Sequence, residues 1–242
     1  MLEFTGIAIE TPLQTWRWDD IQATPIKAVA DPLVSLSYLP EKMVISPQYF
    51  IQQLPGAKAD LFARETVQRK LNEAADQLPY GYKFVIFDAW RDMATQQALF
   101  DQMRAFVKRD HPDFDDQQVT QAALRIVALP STNPAKPSPH NTGGSIDLSI
   151  VDEKGRLLPM GSPFDDISER ARTDYYEKAP DSDDTITYRE NRRLLYHVMT
   201  QAGFTNYIEE WWHFDYGNQN WATVSKRDFA VYGATKPAFP WI

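Results

Sequence analysis

The sequence predicts an α+β fold, on three observations. Several stretches carry apolar residues at helical spacing, others carry short runs of strand character, and the two kinds alternate along a chain of 242 residues. That length is close to the usual ~100–200 residues per domain. The expected organisation is an amino-terminal arm over residues 1–55, packed on a single globular body over residues 56–242.

The arm is rich in Pro, Thr and Gln and has short apolar runs without helical period, such as Ala28-Val29-Ala30 and Leu33-Val34-Ser35-Leu36. It predicts one or two edge strands and a short helix, and its aromatic residues favour packing over disorder. From Asp60 to Leu78, the residues Leu61, Phe62, Val67, Leu71, Ala74, Ala75 and Leu78 recur at intervals that predict an amphipathic helix, stopped by Pro79-Tyr80-Gly81. The apolar run at residues 83–88 predicts a buried strand. Helices follow over Met93 to Val107 and Asp115 to Val127, the second opening with acidic residues that suit the positive end of the helix dipole. Proline, glycine and small polar residues make Pro130 to Gly144 a loop. Polar and apolar residues then alternate from Ser145 to Ile150, the period of a strand with Ser145, Asp147 and Ser149 on one face. A loop from Asp152 to about Thr187 leads to a helix bearing Leu194, Leu195, Val198, Met199 and Ala202, which ends at Gly203. The last element is an aromatic strand region from Asn206 to Tyr216.

Composition excludes several function classes. The chain has no cysteine, so a disulfide framework, a thiolate nucleophile and any cysteine-ligated metal are ruled out. A metal site must use carboxylates and the four histidines. With 33 acidic and 25 basic residues the net charge is −8, the wrong sign for binding nucleic acid or an anionic membrane. The first residues lack the pattern of a secretory leader, and no stretch approaches the ~18 apolar residues of a membrane helix. The expectation is a soluble, cytoplasmic protein with a small ligand and no nucleic-acid or membrane partner.

Two segments carry chemistry. Residues 138–147, SPHNTGGSID, set His140 in a glycine turn that can double back and bring it to Asp147 on the polar face of the following strand. Residues 209–213, EEWWH, place His213 three residues after Glu210 in an apolar aromatic setting. Two imidazoles, one carboxylate and an open position are the composition of a catalytic zinc site whose fourth ligand is water. Zinc lowers the pKa of that water to roughly 7 and polarises a carbonyl. Glu210 is the natural base beside it, provided that the backbone bends or turns, because in a regular strand Glu210 and His213 face opposite sides. Taken singly, His140 reads as a loop histidine, Asp147 as a strand-end carboxylate and His213 as a core histidine; only together do they favour a metal. Glu209 reads as a solvated residue, and His111 and His197 as surface or boundary residues.

These motifs resemble those of the zinc D,D-peptidases, specifically the D-alanyl-D-alanine dipeptidases of the vancomycin-resistance type. The family pattern S-x-H-x-x-G-x-x-x-D followed by E-x-W-H is present, and so are Asp88-Ala89-Trp90-Arg91, Met160-Gly161-Ser162-Pro163-Phe164-Asp165 and Asn191-Arg192-Arg193-Leu194-Leu195. Together they span about residues 80–216. The resemblance implies a small, largely antiparallel sheet bearing the metal ligands, with helices packed on one side. It implies that His140, Asp147 and His213 ligate one zinc ion, that Glu210 is general base and then acid, and that Arg91 stabilises the tetrahedral oxyanion. Asp165 would pair with the free amino group of a dipeptide and Ser138 would add a hydrogen bond at the substrate. Arg91 also reads as a structural ion pair with Asp88 or Asp92, and Asp165 as a loop or helix-cap carboxylate. Trp211 and Trp212 read equally as core or as substrate wall. The implied reaction is hydrolysis of D-Ala-D-Ala. Its alternatives are a D,D-carboxypeptidase or wall endopeptidase with the same chemistry, and a metal-stabilised binding module without turnover.

Overall fold

Strict alternation makes residues 145–150 the centre of a sheet. The computed structural model of the chain describes residues 4–10, 16–124 and 127–238. Its strands are β1 (Leu33–Ser35), β2 (Met43–Ile45), β3 (Phe62–Arg64), β4 (Lys83–Asp88), β5 (Ser145–Val151), β6 (Thr205–Asn206) and β7 (His213–Asp215). Its α-helices are α1 (Trp18–Ala23), α2 (Gln48–Ile51), α3 (Glu65–Ala75), α4 (Met93–Asp110), α5 (Asp116–Ala123), α6 (Asp183–Gln201) and α7 (Gln219–Val224). The main sheet has the order β2-β4-β5-β7-β6, and only its first pair is parallel. β1 and β3 form a separate antiparallel pair. The chain therefore adopts the α+β class with a small, largely antiparallel sheet and helices packed on one side.

Register divides the sheet into two unlike faces. Phe84 lies opposite Ile150, Ile86 opposite Leu148, and Ile146 opposite Phe214. These side chains join Val67, Leu71 and Ala74 of α3 and Leu194, Leu195, Val198 and Met199 of α6 in one core. Each large apolar side chain buried there contributes roughly 1.5–3 kcal/mol. On the opposite face Asp147 stands opposite His213 and Ser145 opposite Asp215. This polar face is buried too, which the alternation pattern alone does not reveal.

Four elements differ from the sequence expectation. The helix expected from Asp60 begins at Glu65, because Phe62–Arg64 pair with Leu33–Ser35 and Arg64 keeps an extended backbone (φ −57°, ψ 144°). Leu61 and Phe62 happen to fit the helical spacing, which hid the strand. The α5 helix ends at Ala123 after an Asp115–Gln118 capping box; its expected course to Val127 crosses residues 125–126, outside the described residues. The loop expected to reach Thr187 ends earlier, since Ser182 and Thr185 form a capping box that starts α6 at Asp183. The single strand region expected from Asn206 to Tyr216 is two strands, β6 and β7, separated by turns. Among the described residues, no helix is long and apolar enough to cross a membrane.

The buried guanidinium of Arg192 on α6 organises the long connection before that helix. It donates to the carbonyls of Met160, Arg170 and Arg172 and lies over the rings of Tyr176 and Trp211, at 4.7 and 5.8 Å. Those bonds pin the segment that presents Asp165. Arg192→Met keeps most of the volume but takes a donor from all three carbonyls, of which Arg170 and Arg172 still accept from Ser162 and Tyr175, and should destabilise the protein by about 2–4 kcal/mol, read from urea unfolding.

Candidate active site

His140 sits in a 3-10 turn, Pro139–Thr142, that ends at Gly143 with φ +71°. The next residue, Gly144, approaches the Tyr216 carbonyl so closely that a Cβ there would lie 2.3 Å from its oxygen. The turn therefore feeds straight into β5 and sets His140 beside Asp147. His140 Nε2 is 3.2 Å from His213 Nδ1 and 3.4 Å from Asp147 Oδ2, and His213 Nδ1 is 3.0 Å from Asp147 Oδ1.

The outer nitrogens fix the role of the inner ones. His140 Nδ1 is 2.7 Å from the Ala89 carbonyl and 3.1 Å from Asp88 Oδ2. His213 Nε2 is 3.1 Å from Asp215 Oδ2. Every outer partner is an acceptor, so each ring places its proton outward and turns a lone pair inward. Two lone pairs facing each other beside a carboxylate repel unless a cation lies between them. The donor set fits a metal on that ground, and its ligand atoms all lie within 4.8 Å of one another. Imidazole and carboxylate together suit zinc among first-row ions. Asp215 is itself anchored by Ser145 Oγ at 2.6 Å and by the amides of Asn218 and Asn220.

The bend required beside His213 is a turn. The His213 N–H donates to the Glu210 carbonyl at 3.3 Å, and the Asn206 side-chain amide donates to the carbonyls of both residues, at 3.1 and 2.9 Å. Glu210 Oε2 consequently lies 3.8 Å from His213 Nδ1, on the same side. Burial pushes the Glu210 carboxyl up to about 8, with Asp147 and Asp165 adding to the effect and His213 opposing it.

Arg91 follows β4, where the pairing skips from Ile86 to Asp88 against Leu148 and Asp147. This bulge turns Asp88 onto the polar face. Arg91 donates to Asp88 Oδ2 through Nε and Nη2, at 3.0 and 2.8 Å, to Gln96 Oε1 at 3.0 Å and to the Tyr49 hydroxyl at 3.4 Å. The ion pair with Asp88 is thus present, yet Nη2 also stands 3.7 Å from Asp147 Oδ2. Burial works against the charge on Arg91, but Asp88, Tyr49 and Asp147 outweigh it and hold the guanidinium ionised.

One cavity of about 740 Å³ has His140, Asp147, His213, Glu210, Arg91 and Asp165 in its walls. Asp165 adopts φ +59° and accepts a hydrogen bond from the Tyr49 hydroxyl at 3.2 Å. Asp165 is exposed at the cavity wall, and the protein crowding round it together with the nearby Asp147 raises its pKa. Ser138 is not brought into this cavity: it is buried, lines a neighbouring one, and its hydroxyl has no hydrogen-bond partner among the described residues. Trp212 lines the catalytic cavity, whereas Trp211 donates from Nε1 to Ser162 Oγ. His111 caps the end of α4 and stacks on Phe114, and His197 meets the Ile7 carbonyl; neither reaches the cavity. Sequence reasoning missed Tyr49, Gln96 and Asp215 as members of the site. Only Asp215 had a readable signal, two residues beyond His213 on one strand and hence on the same face.

Fold and donor cluster together define a candidate metal centre in the wall of a cavity. Comparison with known proteins gives the family: residues 50–232 match the family described as D-Ala-D-Ala dipeptidase. A D-alanyl-D-alanine dipeptidase from a Synechocystis strain is 31% identical over 237 residues, covering 89% of this chain and 92% of the relative. One from Escherichia coli is 31% identical over 135 residues, 56% of this chain and 55% of the relative. One from Enterococcus faecalis is 26% identical over 167 residues, 69% and 75% of the two chains. The chain belongs to the D-Ala-D-Ala dipeptidase family of peptidases and is an enzyme with D,D-peptidase chemistry.

The lone-pair argument gives a direct expectation for metal content. The protein should bind one divalent ion per chain, removable by a strong chelator with loss of activity. His140→Ala should lose the ion, while Asp215→Ala should weaken it by about 10–100-fold in a chelator competition.

Proposed function

We propose that the enzyme hydrolyses free D-Ala-D-Ala to two molecules of D-alanine, using one zinc ion held by His140, Asp147 and His213. The observation that carries the reading is Asp165, a carboxylate that shares the donor cluster's cavity and accepts a hydrogen bond from Tyr49. Its raised pKa marks a place where negative charge is poorly compensated, and a substrate ammonium supplies the missing counter-charge. The relatives, which are D-alanyl-D-alanine dipeptidases, support the same reading.

Zinc, when bound, supplies Lewis-acid polarisation of the scissile carbonyl and makes water a stronger acid. Glu210 takes a proton from the attacking water as the new C–O bond forms. It then gives that proton to the nitrogen as the C–N bond breaks. A pKa displaced upward towards neutrality suits a group that must do both. Arg91 meets the negative charge that develops on the carbonyl oxygen, and Asp88 and Gln96 hold it in place so that it need not reorganise. Asp165 and Tyr49 fix the ammonium end, which sets the length of the substrate.

Glu210→Gln should retain the metal and lower kcat by about 10²–10⁴-fold. N-acetyl-D-Ala-D-Ala should be cleaved at least about 10³-fold less efficiently than the free dipeptide, since acetylation leaves Asp165 unpaired. Equal or better turnover of a muramyl pentapeptide would instead make the enzyme a D,D-carboxypeptidase.

A further inference from the structure

Asp215, the outer partner of His213, is enclosed, with 1% of its surface exposed. A carboxylate offers about four lone-pair positions, and here four donors meet it. Oδ1 accepts from Ser145 Oγ and from Asn218 Nδ2, both at 2.6 Å. Oδ2 accepts from His213 Nε2 at 3.1 Å and from Asn220 Nδ2 at 2.9 Å. The pair of donors at Oδ1 holds one side of the carboxylate. At Oδ2 the Asn220 amide takes one lone pair and leaves the other for the imidazole, so where Asn220 stands sets the direction in which His213 can donate.

Asn220 stands on a supported element. It is the second residue of α7, whose first turn is capped by Asn218, its side-chain oxygen accepting from the Trp221 N–H at 3.0 Å. Between the two asparagines, the Gln219 side-chain amide reaches the carbonyls of Thr24 and Ala135, at 2.6 and 3.1 Å. Thr24 follows α1, so the amino-terminal arm is tied to α7 at the residue next to Asn220. Further along the same helix, Thr223 Oγ1 lies 3.0 Å from Thr24 Oγ1. Asn220 is buried, and the bond to Asp215 is the only hydrogen bond its side chain makes among the described residues.

We propose that Asn220 is a positioning residue of the metal centre. By sharing Asp215 Oδ2 with His213 it sets the angle of the imidazole, which keeps His213 Nδ1 turned towards His140 Nε2 and Asp147 Oδ1, 3.2 and 3.0 Å away. The inference rests on the donor cluster being a metal site. Hydrogen-bonded outer partners orient metal ligands and thereby set affinity; here the orientation passes through two side chains, from Asn220 to Asp215 to His213. Because α7 is held by the arm, the arm supports the centre without supplying a donor to it.

The test is the affinity for zinc, measured by competition with a chromophoric chelator in the absence of substrate. Asn220→Leu keeps the branching and most of the volume of the side chain and removes the donor. It should weaken zinc binding by about fivefold to tenfold, the effect of one hydrogen bond. Asn220→Ala removes the same donor without adding bulk and should show the same loss. With Co²⁺ in place of zinc, the visible absorption bands, which follow ligand geometry, should shift in both variants. In an Asp215→Ala background, adding Asn220→Leu should change the affinity by less than about twofold, because the residue through which it acts is gone. Unchanged affinity and an unchanged cobalt spectrum in both variants, or a loss of the same size with and without Asp215, overturns the positioning role alone. A parent protein that binds neither ion overturns the metal reading of the cluster, and this inference with it.

Discussion

The pairing of β5 with β7 is the constraint on which the rest of the structure depends. One register sets Ile146 against Phe214 in the core and, on the other face, Asp147 against His213 and Ser145 against Asp215. Strand side chains alternate, so sliding either strand by one residue would turn an apolar residue onto the polar face and separate the donor atoms together. The core thereby enforces the site. Burial of Ile146, Leu148, Ile150 and Phe214 offsets the cost of enclosing carboxylates and imidazoles a few ångströms away.

Enclosed charge is the second organising feature. Asp88, Asp147 and Asp215 are all buried, and burial alone would drive each towards its neutral form. Asp215 is kept ionised by His213, Ser145 and Asn218, and Asp147 by His140 and His213. For Asp88 burial still prevails over Arg91 and His140, and its pKa is raised. Arg91 has little freedom in this setting. Asp88 takes two of its donors and Gln96 a third, and Gln96 is tied through its own amide to the Ala128 carbonyl at 2.6 Å. A guanidinium so held contributes a fixed positive field to the cavity, which a lysine on a flexible stem would not.

Legibility in the sequence follows how local each interaction is. The glycine turn after His140 and the alternation through Asp147 lie within ten residues, and both survive unchanged in the structure. The turn between Glu210 and His213 was demanded by chemistry rather than by pattern, since the aromatic run reads as a continuous strand until Asn206 and the backbone close it. Tyr49 meets Arg91 across 42 positions and Asp165 across 116, and no local signal can announce such a contact. The false helical start at Asp60 has the same origin, because its partner strand lies some thirty residues earlier in a stretch with little pattern of its own.

The geometry of the donor cluster links catalysis to stability. With acceptors behind both rings, His140 and His213 turn lone pairs towards each other at 3.2 Å, beside a carboxylate that is itself charged. In the absence of a cation, protons must move or the side chains must part; His213 is indeed pulled towards its protonated form, burial notwithstanding, by Asp215 and Asp147. A divalent ion held here would replace that compromise with bonds to these donors and would bind the folded chain, because residues 140, 147 and 213 converge only once β5 and β7 are paired. Its binding free energy is therefore also folding free energy. The strands that assemble the site would in turn be held together by an ion bound there.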